Sequence, residues 1–182
     1  MQKLSRSLAV FLVAVAVFVA CSKEKSESGD QGTFAFVVYP GAKYLPQITD
    51  LFKRAHKTLK PTEEPPPIAV YDTDATVEDV AKYYAKSYGY GDVAADATNN
   101  LSAAKPAAFY RTGDLSNDAK AAEALFKQLN VPADVTKAAG AYKAAEIEAK
   151  PNRPHVTVQR PYFDPTQSAV VDRTLILMSR QQ

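Results

Sequence analysis

Leu8 to Val19 is an unbroken apolar run of twelve residues, with no acid before it, and it ends at Ala20-Cys21. Directly after it, Ser22 to Gly32 (SKEKSESGDQG) contains no apolar residue. From Thr33 the pattern becomes that of a folded domain. TFAFVVY (33–39) is aromatic and β-branched and predicts a strand stopping at the Pro40-Gly41 turn. Apolar residues at 45, 48, 51, 52, 55 and 59 have helical spacing, with Pro46 tolerable in the first turn. The stretch PTEEPPP (61–67) forbids helix and predicts a stiff connector into a second strand, IAVYD (68–72).

Thr76 followed by Asp79 marks a helix start, Val77, Val80, Ala81, Tyr84 and Tyr88 line one face, and Gly89 fits the stop. Residues 92–106 are rich in Ala and Asn and predict a loop. AAFYR (107–111) suggests a strand, and 117–130 a third helix facing inward through Ala122, Leu125, Phe126 and Leu129. Ala133 to Ala149 suits helix and strand equally. HVTVQR (155–160) and RTLILMSR (173–180) predict strands joined by the proline-bounded PYFDPTQSAVVD. Three helices with paired strands at the end give the expected fold class: α+β, one domain over 33–182, with a largely antiparallel sheet.

The front of the chain carries the strongest functional signal. Lys3 and Arg6, then the apolar run, then a small residue make an export signal. Leu8 to Cys21 is 14 residues, about 21 Å of helix against a hydrocarbon core of about 30 Å, short for a permanent span. Ordinary signal cleavage wants small side chains at −1 and −3, and with Ala20 at −1 the other position is Phe18. Phe18-Val19-Ala20-Cys21 resembles the lipobox of bacterial lipoproteins, with Phe where Leu is commonest. The resemblance implies a diacylglyceryl group on Cys21, removal of residues 1–20, and acylation of the new amino terminus. The competing reading is an uncleaved signal anchor with an idle cysteine. Acyl chains contribute about 0.8 kcal/mol per buried methylene, so several of them hold a protein at a membrane essentially permanently.

That reading changes the charge balance. Bases outnumber acids 22 to 20, and Lys3 and Arg6 are the whole of the excess. A neutral mature chain excludes nucleic acid as an expected partner. A single cysteine excludes an internal disulfide. Residues 21–32 become the lipidated cysteine and a flexible tether. In enterobacterial lipoproteins an Asp after the cysteine retains the protein at the inner membrane; Ser22 stands here, which favours the outer membrane. The expected partners are the membrane, through the lipid, and an envelope protein or small-molecule ligand. YPGAK (39–43), YDTDATVEDVAKYY and QRPYFDP…RTLIL resemble small envelope lipoproteins of unassigned function over most of 37–178, which implies a fold and no chemistry.

One stretch suggests catalysis. IAVYDTDATV resembles the first motif of haloacid-dehalogenase-type phosphatases, in which Asp72 would attack phosphorus and Asp74 serve as acid and base beside Mg²⁺. Thr112 and GDLSND (113–118) imitate its later motifs. Against it, Ala75 replaces the usual glycine, and a helix begins at once, where that family places a flap. An enzyme of this type needs both carboxylates in an open pocket at a parallel strand's C-terminal end. The simpler reading is that these acids cap a helix. DTDATV lacks the third ligand and the glycine of a calcium loop. His56 and His155 have no metal-ligand spacing, so no metal and no cofactor are expected. Lys53, Arg54, His56, Lys57 and Lys60 give the first helix a basic side, either for lipid phosphates or simply solvated. The ten tyrosines suit a pocket lining or a core and its wet rim alike. The expectation is thus a non-catalytic binding or assembly lipoprotein, with the phosphatase as alternative.

Overall fold

The computed structural model describes residues 36–95 and 106–180. The segment 36–39, expected to be strand, forms none. The Tyr39 amide donates to the Tyr84 hydroxyl at 3.0 Å and the same hydroxyl donates to the Val37 carbonyl at 3.0 Å, so a side chain takes the backbone groups that a sheet would have used. Among the described residues the first strand is instead the two-residue β1 (Lys43–Tyr44), leading into helix α1 (Pro46–Leu59) with proline in the first turn. β2 (Ile68–Thr73) follows the proline connector.

Helix α2 (Val77–Ser87) starts where Thr76 accepts the Asp79 amide at 3.1 Å, as its spacing predicts. Strand β3 (Ala108–Asp114) passes directly into helix α3 (Leu115–Gln128). α3 begins two residues earlier than its apolar spacing suggests, because the Asp114 carboxylate accepts the amides of Ser116 and Asn117. The ambiguous 133–149 stretch resolves into a 3-10 turn (Val135–Lys137) and strand β4 (Ala141–Ile147). β5 (His155–Arg160) and β8 (Thr174–Ser179) stand as expected, and the linker between them forms its own hairpin, β6 (Tyr162–Asp164) with β7 (Ala169–Val171).

The main sheet has the order β1-β2-β8-β5-β4-β3, and all five neighbouring pairs are antiparallel. With its three helices among the described residues, the fold is α+β, as the element pattern predicts. Side chains alternate between the two faces. One face presents Ala145, Ile147, Val156, Val158, Ile176 and Met178 to the apolar stripe of α2. The other carries Tyr142, Ala144, Val70 and Leu177 under α1, α3 and the β6–β7 hairpin, with Phe163 and Tyr162 as plugs. No helix among the described residues is long and apolar enough to cross a membrane.

Candidate functional site

The α1/α3 face of the sheet is not wholly apolar. Glu146 of β4 is 5% exposed and stands opposite Thr157 of β5 and Phe109 of β3. One of its oxygens accepts the Thr157 hydroxyl at 2.7 Å and lies 2.9 Å from His155 Nε2. The other accepts Arg111 Nε at 2.8 Å. The register explains the convergence. Arg111 sits opposite Ala144, whose methyl leaves its stem room, and so reaches diagonally to Glu146 on one side and Tyr142 on the other. Its Nη1 donates to the Tyr142 hydroxyl at 3.0 Å, and its guanidinium lies 5.6 Å from that ring's centre.

Burial pushes the Glu146 carboxyl up, but the His155 hydrogen bond, the Arg111 charge and the Thr157 hydroxyl outweigh it and hold the group below its ordinary value. Burial likewise works against the Arg111 charge, and the Glu146 carboxylate more than restores it. Beyond Tyr142, the Asp118 carboxyl of α3 is pushed up by burial, which the Tyr142 phenol and Arg111 offset only in part. Burial raises the Tyr142 phenol itself. A carboxylate already gripped by a guanidinium, an imidazole and a hydroxyl is spent as a base. The cluster joins β3, β4 and β5 electrostatically beneath the helices. Nothing in local spacing announces it, since its members come from three strands. The available signal was alternation: in HVTVQR every second residue is polar, and in a two-sided sheet that polar set had to meet partners.

Asp72 and Asp74 are brought together, though not as a phosphatase needs them. Asp72, 6% exposed, accepts Arg173 Nε at 2.8 Å and the Tyr162 hydroxyl at 3.3 Å. Asp74 pairs with Nη1 of the same arginine. β2 lies between β1 and β8, antiparallel to both, so the acids end no parallel strand. One guanidinium from the far end of the chain clamps both carboxylates beside the start of α2.

The remaining candidates separate in the same way. On α1, Arg54 binds Asp50 and the Leu129 carbonyl, Lys57 binds Glu64, and Lys60 binds Glu63. His56 does not belong to that basic side, because it is buried at 1% exposure and packed inward. Burial lowers its pKa, with Lys60 and Lys57 adding to the effect against Glu63. Among the described residues no group of three or more His, Cys, Asp or Glu is placed to hold a metal. Tyr39, Tyr83, Tyr84, Tyr88 and Tyr90 form an edge-packed row along α2, with Lys150 over Tyr90 and Arg153 over Tyr88. They are core and rim. Cys21 lies outside the described residues.

The chain matches no protein-family model, no curated protein and no solved structure.

Proposed function

We propose that the chain is a lipid-anchored protein of the cell envelope, held through Cys21, whose α+β domain binds or assembles rather than catalyses. The observation that carries the anchor is the apolar run that ends in Phe18-Val19-Ala20-Cys21 and gives way at once to a charged tether. Support for a non-catalytic domain comes from the acids. Asp72 and Asp74 share Arg173, and Glu146 is held by three partners, so these three carboxylates are engaged in holding the fold. With Ser22 rather than Asp after the cysteine, the outer membrane is the favoured address, with the domain facing periplasm or cell surface.

Mass spectrometry of the amino-terminal peptide tests the anchor. Wild-type protein should begin at an acylated Cys21, and Cys21→Ser should leave the membrane fraction while the domain melts unchanged. A chain still carrying Met1 to Ala20 with an unmodified Cys21 thiol would overturn the reading.

A further inference from the structure

Phe36 to Tyr39 is β-forming in composition yet belongs to no sheet. Among the described residues its one backbone–backbone hydrogen bond is local, from the Ala42 amide to the Tyr39 carbonyl at 3.0 Å, closing the turn at Pro40-Gly41. What holds the segment to the domain is α2. In an extended chain the Val37 carbonyl and the Tyr39 amide point to the same edge. The Tyr84 hydroxyl meets both, accepting from the amide and donating to the carbonyl, each at 3.0 Å. One acceptor and one donor are what a residue of a neighbouring strand would offer that edge. Two rings complete the contact. Phe36 and Tyr39 lie half-buried against the core on the α2 side, and Tyr39 meets Tyr83 edge to face at 5.1 Å. Val37 between them is exposed. Extended backbone is thus read by a side chain, with an aromatic residue seated at each end, which is the way a groove binds a peptide.

We propose that this groove beside α2 is a peptide site, that Phe36 to Tyr39 is its occupant in cis, and that an extended segment of another polypeptide, with aromatic residues three apart, displaces it. The proposal deepens the binding reading above and rests on it. Release is a local event. Ser22 to Gly32, upstream, has no apolar residue with which to hold the segment down, and Gly41, at φ 77°, sits at the downstream bend. While no partner is near, the cis segment keeps an apolar groove covered. Its effective concentration, of millimolar order, also turns away weak competitors. Displacement frees residues 36–39, which adds roughly 13 Å to the reach of the tether. The same Tyr84 hydroxyl therefore sets both the occupancy of the groove and the distance from the anchor at which the domain works.

The probe is a labelled peptide with the sequence of residues 33–41, TFAFVVYPG, titrated into the full chain. Phe36→Ser with Tyr39→Pro empties the groove, since it removes both rings and the amide that Tyr84 accepts. That double variant should keep a cooperative unfolding transition and bind the peptide saturably. Wild type, with its groove filled, should bind the peptide at least about tenfold more weakly. Tyr84→Phe added to the double variant should weaken binding about tenfold, as should proline in the peptide at the position of Tyr39. A folded double variant that ignores the peptide, or binding indifferent to Tyr84→Phe, would overturn the proposal. Hydrogen exchange of the wild-type chain reads the same release without a substitution. The Tyr39 amide should exchange through local opening, well ahead of the amides of β8. Exchange of Tyr39 only in step with β8 would mean that the segment never leaves, and sinks the idea. None of these readings involves Cys21, so a failed anchor leaves the groove standing and a silent groove leaves the anchor standing.

Discussion

Tyr142 lies over Gly113, its cross-strand partner, so closely that a Cβ on the glycine would clash with the phenol oxygen and the ring carbons beside it. The glycine is thus a space requirement. An aromatic ring covering a strand glycine restores the packing that the missing side chain gives up. The phenol is fixed by Arg111, and the residue is 2% exposed, so it has no easy retreat.

Gly113→Ala is accordingly expected to destabilise the domain by about 1–3 kcal/mol, the usual cost of overpacking. Urea unfolding measures it. Because the added Cβ would meet Cζ and Cε1 of the ring as well as the phenol oxygen, the substitution should cost much less in a Tyr142→Ala background, where the whole ring is gone. An equal cost in both backgrounds would mean that the glycine serves the backbone and not the ring.

The Arg111–Glu146 pair makes a second prediction. Removing one partner strands the other charge in the interior, at about 3–5 kcal/mol. Arg111→Ala and Glu146→Ala should each fall in that range, and the double variant should cost clearly less than their sum, with a coupling of about 1–3 kcal/mol. Strict additivity by denaturant unfolding would show that the pair does not act as a unit.

This cluster marks where sequence reasoning stops. Helices α1 and α2 were legible because Leu51, Phe52 and Ala55, or Val80, Ala81 and Tyr84, repeat at helical spacing over several turns. β4 was not, since both of its faces are covered and its buried run is Ala144, Ala145, Glu146 and Ile147, with no alternation. Alanine favours helix as much as strand, and a glutamate within the buried run inverts the usual pattern. Its partners, Arg111 and His155, come from other strands, and pairing across strands leaves no motif in one stretch of chain. The start of α3 was misplaced for a related reason: Asp114 is both the last residue of β3 and the cap of the helix, and apolar spacing marks neither role. Over 36–39, the described part of the strand expected at 33–39, no strand forms, and composition cannot foresee that one hydroxyl, Tyr84, would take the Val37 and Tyr39 backbone groups.

The buried His56 sets a pH dependence. Its folded-state pKa lies below its ordinary value, so the unfolded chain binds a proton more readily. Stability from this group is fully present above the unfolded value of about 6.5 and is lost as pH falls from there through the folded value, at up to about 1.4 kcal/mol per pH unit. Unfolding free energies taken between pH 7.5 and pH 5.5, on the order of one unit either side of that value, should decline for wild type and be flatter for His56→Gln. Identical slopes would remove the histidine from the account. Glu146 acts in a lower window. Its folded pKa is also depressed, so its contribution persists until pH falls below the ordinary glutamate range.

The last prediction separates caps from catalysts at DTDAT. Thr76 accepts the Asp79 amide and donates to the Asp79 carboxylate at 2.7 Å, so Thr76→Ala should cost about 1 kcal/mol, the usual value of an N-cap. Asp72 is the buried anchor of Arg173, so Asp72→Asn should lower the melting temperature as the guanidinium loses the more deeply buried of its two carboxylates. Purified wild-type protein should meanwhile show no Mg²⁺-dependent phosphatase activity at any metal concentration. The opposite pair of results would be decisive: a metal-dependent turnover abolished in Asp72→Asn at unchanged melting temperature. It would mean that the Arg173 clamp opens in solution to free both acids, and the domain would be an enzyme.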